Sequence, residues 1–358
     1  MAFAIAAAGT GGHVYPGLAV GEALVSHGVA REEILYIGGR RLEQSVYPQA
    51  GFPFLSVELA GLQRSLTPAN LRLPRVVAAA TTEIARELRH RQIKVVLGMG
   101  GYVSVPAGLA AGRAHARLFL HEQNAAAGLA NRLLKRRAQA VFISFAGTAH
   151  LPRGLFTGNP VRAPLDRFDR GLLRSPALDR YQLDPEIPVL GVFGGSLGAA
   201  VINRAVTNMI TSQPHPTFQT LQLTGTAEGP RLAALAVAHP RWRVREFEGE
   251  MQWFYAASDL VLARAGGAVA ELTATATPAV LVPGGFGSGG HQHANAAALA
   301  RVGAAEVIEE KHLSRLPGVI EGLLANPHQL QAMREAARSL ARPQAAQEIA
   351  QILIKNHE

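Results

Sequence analysis

The chain has 358 residues, of which 48% are hydrophobic and 17% charged, and it contains no cysteine. At ~150 residues per domain this is about two domains with sizeable cores, which excludes disorder as the prevailing state; disulfide frameworks, thiol nucleophiles and thiolate metal sites are excluded as well. Thirty-five basic residues against 26 acidic ones leave a net charge of +9, which points to an anionic partner: nucleic acid, anionic lipid or a phosphorylated metabolite.

The first element is the apolar run Ala2–Ala8. It is far shorter than the ~20 residues of a spanning helix and lacks the basic flank of an export signal, so a soluble or peripheral cytoplasmic protein is expected. The loop Gly9-Thr10-Gly11-Gly12-His13 follows, then a helical stretch from Pro16 to His27. Pro16 suits its first turn and Gly28 its C-terminal cap. Apolar runs at Ile34–Ile37, Val95–Leu97, Leu118–Leu120 and Ala140–Ile143 alternate with helical patterns at Leu71–Arg91, Val105–Ala111 and Leu129–Arg137. Such alternation predicts a parallel sheet with helices on both faces. The pattern breaks around Gly158-Asn159-Pro160-Val161, and Leu165–Ile187 reads as an irregular connection.

The scheme then restarts with strand Pro188–Phe193, loop Gly194-Gly195-Ser196-Leu197-Gly198 and helix Ala199–Ile210. Further strands are predicted at Phe218–Leu223, Trp242–Phe247, Leu260–Leu262, Ala279–Val282 and Glu306–Ile308, with a helical tail from Pro343. The expectation is an α/β chain of two doubly wound, Rossmann-like domains, residues 1–162 and 163–342, with a cleft between them. Residues 343–358 would form a C-terminal helix packing back on the first domain.

The charge is uneven: residues 1–165 carry a net +10 and residues 166–358 a net −1. One domain therefore faces something negative, although 31 of the 35 basic residues are Arg, as genomic composition bias would also give.

A glycine-rich strand-to-helix turn lets backbone N–H groups approach an anion, which the positive end of the helix also attracts. Gly194–Gly198, with the Ser196 hydroxyl, has the stronger form of a diphosphate cradle. The plainer reading of either loop is a tight turn that packs helix on strand. Neither is a Walker A motif, and neither matches G-x-G-x-x-G in register. No Asp-x-Asp occurs, so the paired carboxylates of a metal-bridged diphosphate are missing and no metal or other cofactor is expected. His291-x-His293 lacks a third ligand at metal spacing.

Five segments occur in order: Gly9-Thr-Gly-Gly-His-Val-Tyr-Pro-Gly17, Gly98-Met-Gly-Gly-Tyr-Val-Ser-Val-Pro106, His121-Glu-Gln-Asn124, Gly158-Asn-Pro-Val-Arg162 and Gly194-Gly-Ser-Leu-Gly-Ala199. Together they resemble the bacterial peptidoglycan glycosyltransferase family called MurG, of the GT-B fold, from residue 3 to about 310. The resemblance implies transfer of N-acetylglucosamine from UDP-N-acetylglucosamine to the muramoyl 4-hydroxyl of lipid I, an undecaprenyl-diphospho-muramoyl peptide. The product would be lipid II, made at the cytoplasmic face of the inner membrane for cell-wall synthesis. No nucleic acid is implied.

By the same resemblance Thr10, Gly11 and Gly12 form the loop that closes over the donor and faces the acceptor diphosphate. His13 is the first candidate for general base, imidazole having a pKa near the operating pH; orienting the loop or touching phosphate is its other reading. Glu122 is the lesser candidate. Asn124 would hold the donor sugar, or else cap the helix after Gly128. Arg162 and Ser196 match donor-contacting positions, Glu271 the acid on the ribose hydroxyls, and Gln292 a contact to the sugar hydroxyls.

The chain departs from that family pattern in three places. Arg264–Glu271 is one residue short and lacks a Thr, Glu248 replaces an apolar residue beside the uracil, and Gly284–Gly290 is unusually glycine-rich. Arginines and aliphatics mix in Leu71–Val77, with Arg86, Arg89 and Arg91 following, a pattern suited to an anionic membrane surface or to an ordinary amphipathic helix. Two rivals come from other classes. Gly38-Gly39-Arg40-Arg41 allows an NADP-dependent oxidoreductase, and the basic half allows a non-catalytic membrane- or nucleic-acid-binding protein.

Overall fold

The computed structural model describes residues 1–59, 73–195, 198–212, 216–284 and 290–357. The chain divides into two units, Met1–Arg162 with Arg342–Glu358, and Ala163–Ala341.

The first unit holds seven parallel strands: β1 (Phe3–Ala6), β2 (Ile34–Gly38), β3 (Phe54–Ser56), β4 (Val95–Gly98), β5 (Arg117–Glu122), β6 (Ala140–Ile143) and β7 (Leu155–Phe156). Their order is β3-β2-β1-β4-β5-β6-β7. Side chains of β1 alternate between two cores. Phe3 and Ile5 join the helix Gly11–Ser26 and the helix Ala345–Lys355 on one face. Ala4 and Ala6 meet Ile84 and Leu88 of helix Leu73–His90, and Ala107 of helix Ser104–Arg113, on the other. Burial on both faces is why these strands read as continuous apolar runs.

The second unit has six parallel strands: β8 (Val189–Phe193), β9 (Gln219–Leu223), β10 (Trp242–Arg245), β11 (Leu260–Ala263), β12 (Ala279–Leu281) and β13 (Ala305–Val307). The order β10-β9-β8-β11-β12-β13 repeats the plan of the first sheet. In each unit the strand order reverses beside the first strand, β1 or β8, where doubly wound folds open a crevice at the carboxyl ends.

Three expectations change. The first helix begins at Gly11 rather than near Pro16; Val14 N already donates to Thr10 O at 3.1 Å, so His13 sits in its first turn. Strands β3 and β7 are too short to show a period-2 pattern. Within Leu165–Ile187 lies the helix Arg170–Tyr181, with Pro176 inside it. Asp169 caps this helix, its carboxylate accepting from Gly171 N and Leu172 N, and Ala177, Leu178 and Tyr181 are buried. Capping and burial together outweigh the N–H missing at Pro176.

Candidate active site

In the first unit the glycine-bearing segments follow the carboxyl ends of four neighbouring strands, β2, β1, β4 and β5. Gly9 has φ +103, and Gly100 and Gly101 have φ +83 and +74, a region that disfavours side chains. His13 lies against this second turn. A Cβ built on Gly100 would be 3.4 Å from its Nε2 and Cδ2. Its Nδ1 lies 3.3 Å from Thr10 Oγ1. Thr10 is exposed, while Gly11, Gly12 and His13 are half-buried.

Glu122 is 2% exposed and surrounded by donors. Its Oε1 accepts from Asn124 N at 3.1 Å and Asn124 Nδ2 at 3.0 Å. Its Oε2 accepts from Gly128 N at 2.9 Å and Asn131 Nδ2 at 2.8 Å. Four hydrogen bonds occupy this carboxylate, which orients Asn124. Asn124 is not a helix cap; Gly128 fills that position for Leu129–Leu134.

His121 is fully buried, with Nε2 3.0 Å from Gly158 O and Nδ1 2.9 Å from Gln123 Nε2. Burial lowers its pKa to about 4, against the smaller opposing effects of the Gly158 carbonyl and Glu122. A neutral ring with its proton on Nε2 satisfies both contacts. Gln123 Nε2 also donates to Met99 O at 2.8 Å. Its Oε1 is buried and has no hydrogen-bond partner among the described residues. A Cβ on Gly100 would touch this atom at 3.6 Å as well as His13. Arg162 stacks over Tyr15, its guanidinium carbon 4.7 Å from the ring centroid, and so joins the first helix.

One residue that motif reading missed is Glu43, which is buried. Its Oε2 accepts from Gly9 N at 3.2 Å, and its Oε1 from Gly39 N at 3.0 Å and Tyr102 Oη at 3.4 Å. This carboxylate fastens the turns after β1, β2 and β4 together. It also fills the turn where a nicotinamide ribose phosphate would be read, and Arg40 is paired with Glu58 at 3.4 Å. The oxidoreductase reading is not supported.

In the second unit Gly194 and Gly198 are required by close approach. A Cβ on Gly194 would come within 2.3 Å of Ala199 N, and one on Gly198 within 2.2 Å of Thr224 O. Gly198 N closes the turn on Gly195 O at 2.9 Å, and the helix Ala200–Ser212 follows. Ser196 lies outside the described residues. Glu271 is in the first turn of helix Ala268–Ala274 and its Oε2 accepts from Tyr255 Oη at 2.8 Å, an orienting contact that motif reading did not foresee. Gln292 Oε1 accepts from Gly284 N at 2.8 Å. Of the glycine-rich loop, residues 285–289 lie outside the described residues.

Glu248, the unexpected acid, is buried and accepts from Tyr181 Oη at 2.7 Å and Glu250 N at 2.9 Å. It therefore serves the packing of its own unit. His293 pairs with Glu309 at 3.0 Å, and among the described residues no group of three metal-ligating side chains is found.

The Glycosyltransferase family 28 N-terminal domain matches residues 3–143, and the family 28 C-terminal domain matches residues 189–349. A UDP-N-acetylglucosamine–N-acetylmuramyl-(pentapeptide) pyrophosphoryl-undecaprenol N-acetylglucosamine transferase of Desulforudis audaxviator is 36% identical over 98% of this chain and 97% of its own. The transferase of the same name from Acidithiobacillus ferrooxidans is 39% identical over 98% and 96%. Among solved structures, Acinetobacter baumannii MurG superposes with a TM-score of 0.75 at 26% identity, covering 99% of both chains. The chain belongs to glycosyltransferase family 28, in the MurG family of N-acetylglucosamine transferases.

Proposed function

We infer that the protein moves N-acetylglucosamine from UDP-N-acetylglucosamine to the muramoyl 4-hydroxyl of lipid I, giving lipid II for peptidoglycan. The end-to-end likeness to transferases of that name carries this reading. Two carboxyl-end glycine sites on one repeated sheet plan are its physical counterpart.

The reaction is a direct displacement with inversion. The acceptor hydroxyl attacks the anomeric carbon from one face while UDP departs from the other, through an oxocarbenium-like state. His13 takes the hydroxyl proton. Its partner Thr10 and the Gly100–Gly101 turn hold the ring, whereas the lone pairs of Glu122 are occupied by N–H donors. This favours His13 as base and Glu122 as the residue that positions Asn124 on the donor sugar. Glu271 takes the ribose hydroxyls, with Gln292 on the sugar. Ser196, the amino end of helix Ala200–Ser212 and Arg162 meet the charge growing on the departing diphosphate, without a metal ion.

The acceptor is lipid-linked, so the enzyme works at a membrane surface from the cytoplasmic side. Among the described residues no helix is long and apolar enough to cross one. Leu129 and Leu133 are 64% and 60% exposed, one turn apart, and Arg132, Lys135, Arg136 and Arg137 are exposed around them. Arg86 and Arg89 are also exposed, whereas Arg91 is paired with Glu87 at 2.6 Å. Leu71 and Arg72 lie outside the described residues. Apolar side chains with arginines at head-group level suit an anionic bilayer.

A transfer assay with labelled donor and a lipid I analogue tests the whole reading. Product of inverted configuration is expected, at a rate unchanged by EDTA. Loss of all activity with EDTA, restored by Mg²⁺, would overturn the metal-free step. Stabilisation by NADPH but not UDP would overturn the transferase.

A further inference from the structure

At the amino end of the second sheet, opposite its glycine loop, Asp259 leads into β11 and accepts from Val189 N, at the start of β8, at 2.9 Å. Three arginines converge on it. Arg170 Nη2 reaches Oδ1 at 2.6 Å and Arg174 Nη2 reaches Oδ2 at 2.7 Å. Arg334 Nη2 lies 3.7 Å from Oδ1 and donates to the Asp259 carbonyl at 3.2 Å. Arg170 also donates to Ser258 O, and Arg174 to Ala256 O and Ala257 O, closing the end of helix Met251–Ala257.

A cavity of about 700 Å³ opens beside this cluster. Arg170, Arg174, Arg334 and Arg338 line it, with Phe168 and Asp169. Arg338, one helical turn beyond Arg334, is exposed and contributes nothing to the clasp on Asp259. Four guanidiniums thus face two carboxylates, and one of these, Asp169, is engaged in capping its helix. Arg170 Nε is buried without a hydrogen-bond partner among the described residues. Burial, together with the neighbouring Arg170 charge, lowers the pKa of Arg334 to about 10, although Asp259 opposes this. A purely structural clasp needs Asp259 and three arginines. It needs neither Arg338 nor a cavity of a size that holds a small ligand.

We propose that this cavity is a second anion site, taking a small phosphate-class ligand with two or more negative charges. Two surplus guanidinium charges match such an oxyanion, and guanidinium geometry favours paired hydrogen bonds to phosphate oxygens. The site is separate from the donor's diphosphate loop. The five residues of β8 stand between them, roughly 16 Å at ~3.3 Å per residue, too far for one diphosphate to span.

The test uses the full chain saturated with UDP, so that the donor loop is blocked, and inorganic pyrophosphate as probe in a thermal-shift or calorimetric titration. Saturable binding is expected, weakened at least tenfold by Arg338→Glu, which removes one charge-assisted contact and adds a repelling charge. Arg338→Gln provides a milder variant of the same kind. Arg315→Glu, an exposed arginine of the same unit outside the cavity, makes the same charge change and should leave binding intact. A parallel arm replaces pyrophosphate with phosphatidic acid vesicles against phosphatidylcholine vesicles. Binding in that arm alone, lost in Arg338→Glu, assigns the site to a lipid phosphate; binding in solution assigns it to a free one. No binding in either arm, or equal weakening by Arg315→Glu, overturns the proposal. A failure of UDP to bind would show in its own titration and would speak against the transferase reading instead.

Discussion

The two units share one strand order but treat their leading glycine loops differently. In the first, the helix begins inside the loop, so that His13 projects from a fixed first turn, and Glu43 clasps three turns together from beneath. In the second, Gly194 and Gly198 press so closely on Ala199 and Thr224 that no side chain fits at either position. The first loop carries a titratable side chain, whereas the proposed diphosphate loop carries none. A repeated fold therefore does not imply a repeated task; what its carboxyl-end turns carry decides the task.

If that division is right, His13→Ala should have the largest effect. A kcat loss of about 10²–10⁴-fold is expected for a general base, with UDP binding to the second unit unchanged by calorimetry. Near-normal turnover would remove the base from the first unit and break the contrast.

Next is Asp259→Asn, which leaves three arginines around a neutral amide. Burial alone would raise the pKa of Asp259, but Arg174 and Arg170 hold it below its ordinary value. Losing one partner of a buried ion cluster costs about 3–5 kcal/mol, and the low end, about 3 kcal/mol, applies here because these side chains are 15–28% exposed. Urea unfolding should show this loss in the second unit's transition, with the first unit's little altered.

The first unit has its own buried titrating group. The His121 pKa of about 4 lies below the unfolded value, so the unfolded chain binds the extra proton first as pH falls. Stability contributed above pH ~6.5 is then lost progressively toward pH ~4, by up to about 3 kcal/mol. His121→Gln should flatten that slope; an unchanged slope between pH 7 and 4.5 would show that another group carries it.

The smallest expected effect is that of Glu43→Gln. An amide cannot accept at both ends, so one of the three turns loses its anchor. Loss of one hydrogen bond to a charged group predicts roughly a tenfold fall in kcat or rise in acceptor KM, with donor KM unchanged. An equal change in donor KM would blur the separation between the units.

Much of this was legible in the linear chain because backbone at positive φ favours glycine over every other residue. Gly100, Gly101, Gly195 and Gly198 all have positive φ, and the alternation of apolar runs with helical patterns marked those runs as buried parallel strands. What escaped depends on distance along the chain. Glu43 meets Gly9 and Tyr102 across 34 and 59 residues, and no local motif records such pairings. The helix Arg170–Tyr181 looked irregular because Pro176 spoils its pattern, whereas the Asp259 contacts that hold it lie 89 and 85 positions onward. Glu248 was legible as an oddity, but only its partner Tyr181 explains it.

The helix Ala345–Lys355 places Ile349, Ala350 and Leu353 in the same core as Phe3 and Ile5 of β1. His357 accepts from Ala2 N at 3.0 Å and lies beside the Phe3 ring. On the ribosome this helix emerges after every residue of the second unit. With synthesis at ~5–20 residues per second, the second unit has its whole sequence in hand while the first still waits, one face of β1 covered only in part, by the helix Gly11–Ser26. The unit translated first is thus the one completed last.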